Sequence, residues 1–343
     1  MRKSIGVGLC IGLMSLMVFA SCSKQASSTA ASPAATAKQE KVVLKIGNAM
    51  TDNHPWNVAI EEMVKLADLY SGGRLEIQNY PNATLGNEAD MLESVQNGSL
   101  DMMVGDPTVG SSFCKEMELF SVPFLFRDKA HWRAVFDGTV GKQYSDLIAS
   151  KSNIRILEYW GGSQRNVIAT KKPVKSIDDL QGFKLRLVQS ELKFSVWKAV
   201  GALPVAISFG ETYSALQSGV CDGMENEMPS ILTAKFYEPA PYFTLTGHEI
   251  TVRPLMINEE KLNGLDKELQ DALLKACAEA TIKARALEEK AAVDAEKEMV
   301  EKYGIQIYEI DKAPIMSRTQ SILDSFGEKT GTTEIIAAIK NTK

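Results

Sequence analysis

The chain has 343 residues, 45% of them hydrophobic and 24% charged, and a formal net charge of −5. That balance suits a soluble globular protein and excludes the disordered and membrane-embedded classes. An acidic excess with no basic stripe also argues against nucleic acid as a partner.

At the N-terminus, Arg2 and Lys3 precede an apolar run from Ile5 to Phe19, and the small residues Ala20 and Ser21 stand before Cys22. This predicts a secretory signal over 1–21 rather than a transmembrane span. A small-small-Cys junction followed by a polar stretch resembles a bacterial lipobox, which implies lipidation of Cys22, with Phe19 where that motif usually has Leu. The alternative is a plain signal-peptidase cut that leaves a soluble exported protein. Residues 23–40, SKQASSTAASPAATAKQE, are rich in Ser, Ala and Thr and without an apolar period, which predicts a flexible tether over 22–40. Loss of the signal leaves 36 basic against 43 acidic side chains, more acidic than the full chain.

The globular part begins near Lys41, and roughly 300 residues are enough for two domains with real cores. KVVLKIGNAM (41–50) alternates Val42, Leu44 and Ile46 as a strand, and NVAIEEMVKLADLYSGG has helical spacing at Ile60, Met63, Val64 and Ala67. RLEIQNY reads as a strand, NEADMLESVQNGS as a helix ended at Gly98, and LDMMVGD as another strand. The alternation resumes after IRILEYW and runs through DDLQGFKLRLVQ, ELKFSVWKAVGA, ALPVAIS and ETYSALQSG to CDGMENE. Two α/β domains with mostly parallel sheets are implied, and a ligand crevice belongs at the carboxyl ends of the strands, between the domains. Leu265 to Tyr303 predicts one or two long helices with Leu269, Leu273, Ala276 and Ala280 as the apolar stripe. Arg285 with Glu289, and Glu298 with Lys302, are spaced for solvated i,i+4 pairs.

Cys114, Cys221 and Cys277 allow at most one disulfide. They show no CxxC spacing, and His54, His131 and His248 are equally scattered, so neither a metal site nor a cofactor is expected.

In GFKLRLVQS (182–190), Phe183, Leu185 and Leu187 share one face of a strand, while Lys184, Arg186 and Val188 share the other. Arg186 is either an exposed strand residue or a planar, always-charged fork reaching a carboxylate in a cleft. Asn226, in a run with Asp222, Glu225 and Glu227, either closes a turn or donates to the same carboxylate. Arg165 is a cleft residue or a structural ion-pair partner, and Phe209 and Trp160 are wall or core.

Four collinear segments then carry a specific resemblance: YPNATLGNEADMLESVQNGSLDM (80–102), GGSQRNV, DDLQGFKLRLV, and GALPVAISFGETYSALQSGVCDGMENE (201–227). Together they resemble the substrate-binding proteins of tripartite ATP-independent periplasmic (TRAP) transporters, dicarboxylate-binding type, over roughly residues 42–340. The resemblance implies a two-lobed α/β fold, each lobe a mixed, mostly parallel sheet with flanking helices, and a long helix spanning both. The expected lobes are 42–163 plus about 252–290, and 164–251 plus about 291–343. It implies that Arg186 grips the ligand carboxylate in two-pronged fashion, that Asn226 donates beside it, and that Arg165 lines the cleft. Phe209 would form an aromatic wall, and Asn48, Glu88 and Asp106 would reach the polar end of the ligand.

The expected function is capture of a small organic-acid carboxylate outside the cytoplasm for delivery to membrane permease subunits. A lipoprotein that senses a carboxylate for a signalling partner is one alternative. A hydrolase using Asp222, Glu225 and Glu227 is another, since a carboxylate pair about 5–9.5 Å apart can do acid-base work. No nucleophile elbow, Gly-rich phosphate loop or HExxH accompanies those acids.

Overall fold

The computed structural model describes residues 40–343. The signal segment, the tether up to residue 39 and Cys22 lie outside the described residues.

Strand β1 (Val42–Gly47) opens the chain and buries Leu44 and Ile46 by alternation. Helix α1 (Pro55–Tyr70) starts on a proline, whose missing N–H costs nothing in a first turn, and buries Ala59, Ile60, Met63 and Ala67. It leads into β2 (Leu75–Tyr80), then α2 (Glu88–Asn97), capped reciprocally by Asn87 and Asp90, and β3 (Met102–Val104). β1 lies parallel between β2 and β3.

Two 3-10 segments, Pro107–Gly110 and Lys115–Ser121, and helices α3 (Lys129–Asp137) and α4 (Thr139–Ser152) lead to β4 (Ile154–Ala169). A second parallel group follows. β5 (Lys184–Leu187), α5 (Glu191–Ala199), β6 (Leu203–Ala206), α6 (Thr212–Ser218) and β7 (Gly223–Glu227) set β5 between β6 and β7. Short α7 (Met228–Thr233) precedes β8 (Tyr242–Asn258), and then come α8 (Glu259–Gly264), α9 (Lys267–Glu301), β9 (Gln306–Tyr308), α10 (Ala313–Thr330) and α11 (Thr333–Asn341).

The expected α/β alternation is present, but the two parallel groups are not separate sheets. β4 and β8 are 16 and 17 residues long and pair antiparallel along most of their length, which yields the order β2-β1-β3-β8-β4-β7-β5-β6, with β9 on β8. β3 meets only the end of β8, at Leu255–Ile257, while β7 meets only the end of β4, at Arg165–Ala169. The two lobes are therefore built on opposite ends of one long strand pair.

Helix α9 is a single 35-residue helix. Leu269, Leu273, Ala276 and Ala280 are buried in the main core, and Ala295 and Met299 join a second cluster with Ile231, Phe236 and Phe243. The expected Arg285–Glu289 pair is absent among the described residues. Packing of α9 on α3 and β4 turns Arg285 to Asp137 (2.5 Å) and the Tyr159 carbonyl, while Glu289 pairs with Lys129 and Arg133. Glu298 and Lys302 do pair, at 2.8 Å. Cys114, Cys221 and Cys277 are buried free thiols.

The β4–β8 register shifts between Gly161 and Gln164, where the strand passes from one group to the other. Gly161 sits there at φ +101°, and a Cβ would lie 2.5 Å from the Thr251 carbonyl oxygen. Both the left-handed backbone and the clash penalise a side chain. Gly161→Ala should therefore lower unfolding free energy by about 2 kcal/mol or more, read as a shift in denaturant midpoint.

Candidate functional site

β5 is hydrogen-bonded along both edges, and from Leu185 onward both of its faces are buried. Leu185 and Leu187 are fully buried on one, and Arg186 is only 1% exposed on the other. Its Nε donates to the Ile207 carbonyl at 2.9 Å, its Nη2 has no partner among the described residues, and no carboxylate there lies within ion-pair distance of it. Burial pulls this guanidinium down to about 10, against the attraction of Glu225.

Arg186 faces a cavity whose wall also contains Arg165, Asn226, Phe209, Glu88 and Asp106, so six of the eight expected site residues meet there. Adjacent parallel strands bring Arg186 and Asn226 together. The Asn226 amide oxygen accepts from the Glu227 backbone N–H at 3.0 Å. Phe209, just past β6, stands edge-on to Phe236. Glu88 opens α2 and accepts from the Asp106 backbone N–H at 3.2 Å. Burial, reinforced by the Asp106 charge, pushes its carboxyl up.

Two expected residues lie elsewhere. Trp160 is fully buried and donates its indole N–H to Thr281 of α9 at 2.8 Å, so it belongs to strand–helix packing. Asn48 is also fully buried: its amide donates to Asn57 at 2.8 Å and its oxygen accepts from the Met50 backbone. Asn48 thus shapes the turn that puts Met50 in the wall, and does not itself line the cavity.

Arg165 lines the cavity with its donors already engaged. It holds Glu225 in a fork, with Nε at 2.5 Å and Nη2 at 2.9 Å from the two oxygens, and Nη1 lies 3.1 Å from Glu227. The β4–β7 register sets Arg165 directly opposite Glu227, which brings Glu225 within diagonal reach. Arg253 of β8 stands 3.4 Å from Asp106 and 3.5 Å from Glu227, and Lys193 of α5 lies 3.2 Å from Asp106 and 3.4 Å from Glu249. Burial opposes ionisation of Asp106, yet Lys193 and Arg253 outweigh it and hold the carboxyl far below the ordinary range. The same contest, won by Arg165, keeps Glu225 ionised.

Lys193, Arg253 and Glu249 escaped the sequence reading, because a charge inside a helix or strand has no local mark of burial. Period 2 could have found Arg253, since Arg253 and Leu255 alternate through TVRPLMIN. A larger groove lies between α5 and α10, where Lys115 and Glu191 are exposed and Glu118 is already hydrogen-bonded.

The acids weighed for hydrolysis are all engaged by other groups. Glu225 and Glu227 are bound by Arg165, and Asp222 precedes β7 and accepts from the Lys184 backbone N–H at 3.0 Å.

A family model described as bacterial extracellular solute-binding protein, family 7, matches residues 46–330. The chain belongs to this family. It is 32% identical over 304 residues to a solute-binding protein of Sulfitobacter sp. strain NAS-14.1, covering 88% of this chain and 92% of that one. It is 31% identical to a 2,3-diketo-L-gulonate-binding periplasmic protein of Escherichia coli K12, covering 69% and 72%. A TRAP periplasmic solute-binding protein of Xanthobacter autotrophicus Py2, solved with β-D-galacturonate, superposes with a TM-score of 0.84 at 30% identity over 88% of this chain and 100% of that one. Family and neighbours are binding proteins, and the described helices include none long and apolar enough to cross a membrane.

Beneath the wall, Glu288 of α9 is fully buried near Trp56 and Ser163, and burial, then the Glu227 charge, raises its carboxyl to about 7. Because the folded protein holds this proton more tightly than the unfolded chain, the stability contribution is complete below the ordinary pKa of 4.5 and is lost as pH rises through about 7. Glu288→Gln removes that loss. Its melting temperature should gain on the parent's between pH 5 and pH 8, by the equivalent of about 3 kcal/mol at most.

Proposed function

We propose that this solute-binding protein captures a sugar acid of the hexuronate class, with Arg186 and Asn226 on its carboxylate and Glu88 and Asp106 accepting from its hydroxyls. The observation that carries the reading is Arg186, a buried guanidinium on the cavity wall with no carboxylate partner among the described residues. A carboxylate leaving water needs charge-assisted donors, and a guanidinium fork beside an amide supplies them in fixed geometry. The galacturonate-bound relative adds support, as does the diketogulonate-binding one. Arg165 orders Glu225 and Glu227 and so shapes the wall beside Arg186.

The two lobes meet at the crossovers, near 161–164 in β4 and 250–252 in β8, which serve as hinge strands for closure over the ligand. The closed, loaded form is handed to the TRAP permease in the membrane. Cys22 carries a lipid that holds the chain on the outer face of a membrane.

Thermal shift of the 41–343 fragment against D-glucuronate, D-galacturonate and C4 dicarboxylates tests the site. A ligand at 100 times its dissociation constant stabilises by about 2.7 kcal/mol. A uronate should raise the melting temperature of the parent and leave Arg186→Ala unmoved; an equal shift in that variant would refute the assignment. For the anchor, cells fed a radiolabelled fatty acid should label the full chain and not Cys22→Ala.

A further inference from the structure

Glu118 is a buried acid outside the cavity wall, on the 3-10 segment Lys115–Ser121 of the lobe that carries β1 to β3. Its Oε1 accepts from Ser190 Oγ at 2.5 Å and from the Leu192 backbone N–H at 3.0 Å. Both donors belong to the N-terminus of α5, on the other lobe, where Ser190 also caps its own helix through the Lys193 N–H at 3.1 Å. Glu118 has no cationic partner within ion-pair distance among the described residues, and the two donors on its Oε1 make it a hydrogen-bond acceptor there.

One residue beyond Leu192, Lys193 reaches across to Asp106 in the cavity wall. Helix α5 is thus tied to the first lobe outside the cavity by Glu118, with an exposed Lys115–Glu191 pair at 4.0 Å beside it, and inside the cavity by Asp106. The His54–Ser230 contact at 3.3 Å is a weaker tie between the same lobes.

We infer that Glu118 is a closure latch: it caps α5 from the opposite lobe only when the lobes are together, and so governs how long the ligand stays without touching it. The inference rests on the proposed reading of two lobes that close over a carboxylate. When the lobes part, water takes over the Leu192 N–H and the Ser190 hydroxyl, so the bonds favour the closed state selectively. A residue that acts only after encounter changes escape and leaves capture alone.

The test uses the full chain and D-glucuronate as the probe, with stopped-flow tryptophan fluorescence for the rates. Glu118→Ala should release D-glucuronate about tenfold faster with an unchanged association rate, consistent with burying an unpaired donor. Glu118→Gln retains an acceptor oxygen and should restore most of the residence time. Lys198→Gln, an exposed position on the same helix with no ion pair among the described residues, should match the parent. Unchanged release from Glu118→Ala, or a loss confined to association, overturns the latch. If D-glucuronate fails to bind even the parent, the substrate reading fails separately. X-ray scattering of the ligand-free proteins then decides: a larger radius of gyration for Glu118→Ala upholds the latch, and identical profiles overturn it.

Discussion

A guanidinium or ammonium removed from water costs several kcal/mol unless carboxylates and hydrogen bonds meet it, and this chain removes four of them together. Arg165 is met by Glu225 and Glu227, Lys193 by Asp106 and Glu249, and Arg253 by Asp106 and Glu227. Arg186 is left with a backbone carbonyl on one nitrogen and an unengaged Nη2. The ion pairs around it hold its neighbours in place, and they also ensure that no protein acid swings over to take the free fork. Removing Arg165 would therefore do more than lose one donor to the cavity, since Glu225 would be left facing His248 at 3.2 Å and the distant Lys193.

The same pairing explains why the long strands matter. Arg165 lies on β4, Arg253 on β8 and Glu227 on β7, so the site is fixed where the two long strands pass from one lobe to the other. Gly161 and the register shift beside it let β4 turn without losing its ladder to β8. A continuous sheet through the crossover gives the lobes a shared axis, while α9 contributes to the core clusters at both ends.

Much of this was legible from local pattern. Helices α1 and α2 have apolar faces and end signals within a few residues, and Arg186 breaks the apolar run of a strand whose other neighbours are Leu. The resemblance to TRAP binding proteins grouped Arg186, Asn226, Arg165, Phe209, Glu88 and Asp106, and one cavity wall contains all six. It failed for Asn48 and Trp160, each satisfied by a partner far along the chain or across a turn, Asn57 and Thr281, which no short motif encodes. The β4–β8 pair was hidden for a related reason. Its middle is GGSQRN on one strand and GHE on the other, polar residues buried by ion pairs and neighbouring strands, so alternation of apolar and polar residues breaks down there. Lys193 is invisible in the same way, an ordinary helix lysine until α5 is seated on the opposite lobe.

The charge pattern also bears on what the proposed cavity accepts. A second carboxylate on the ligand would need a second free cation, and among the described residues lining or backing the cavity each other cation already has an acid beside it. It would meet Glu88 and Asp106 instead, where like charges repel at close range and the site is too dry to screen them. A hydroxyl meets the same two acids as acceptors and gains a charge-assisted hydrogen bond from Asp106, which Lys193 and Arg253 hold ionised. On the proposed reading, the same wall offers a carboxylate the Arg186 fork and offers a hydroxyl the acceptors of Glu88 and Asp106. A polyhydroxy monoacid satisfies both, whereas a dicarboxylate satisfies only one.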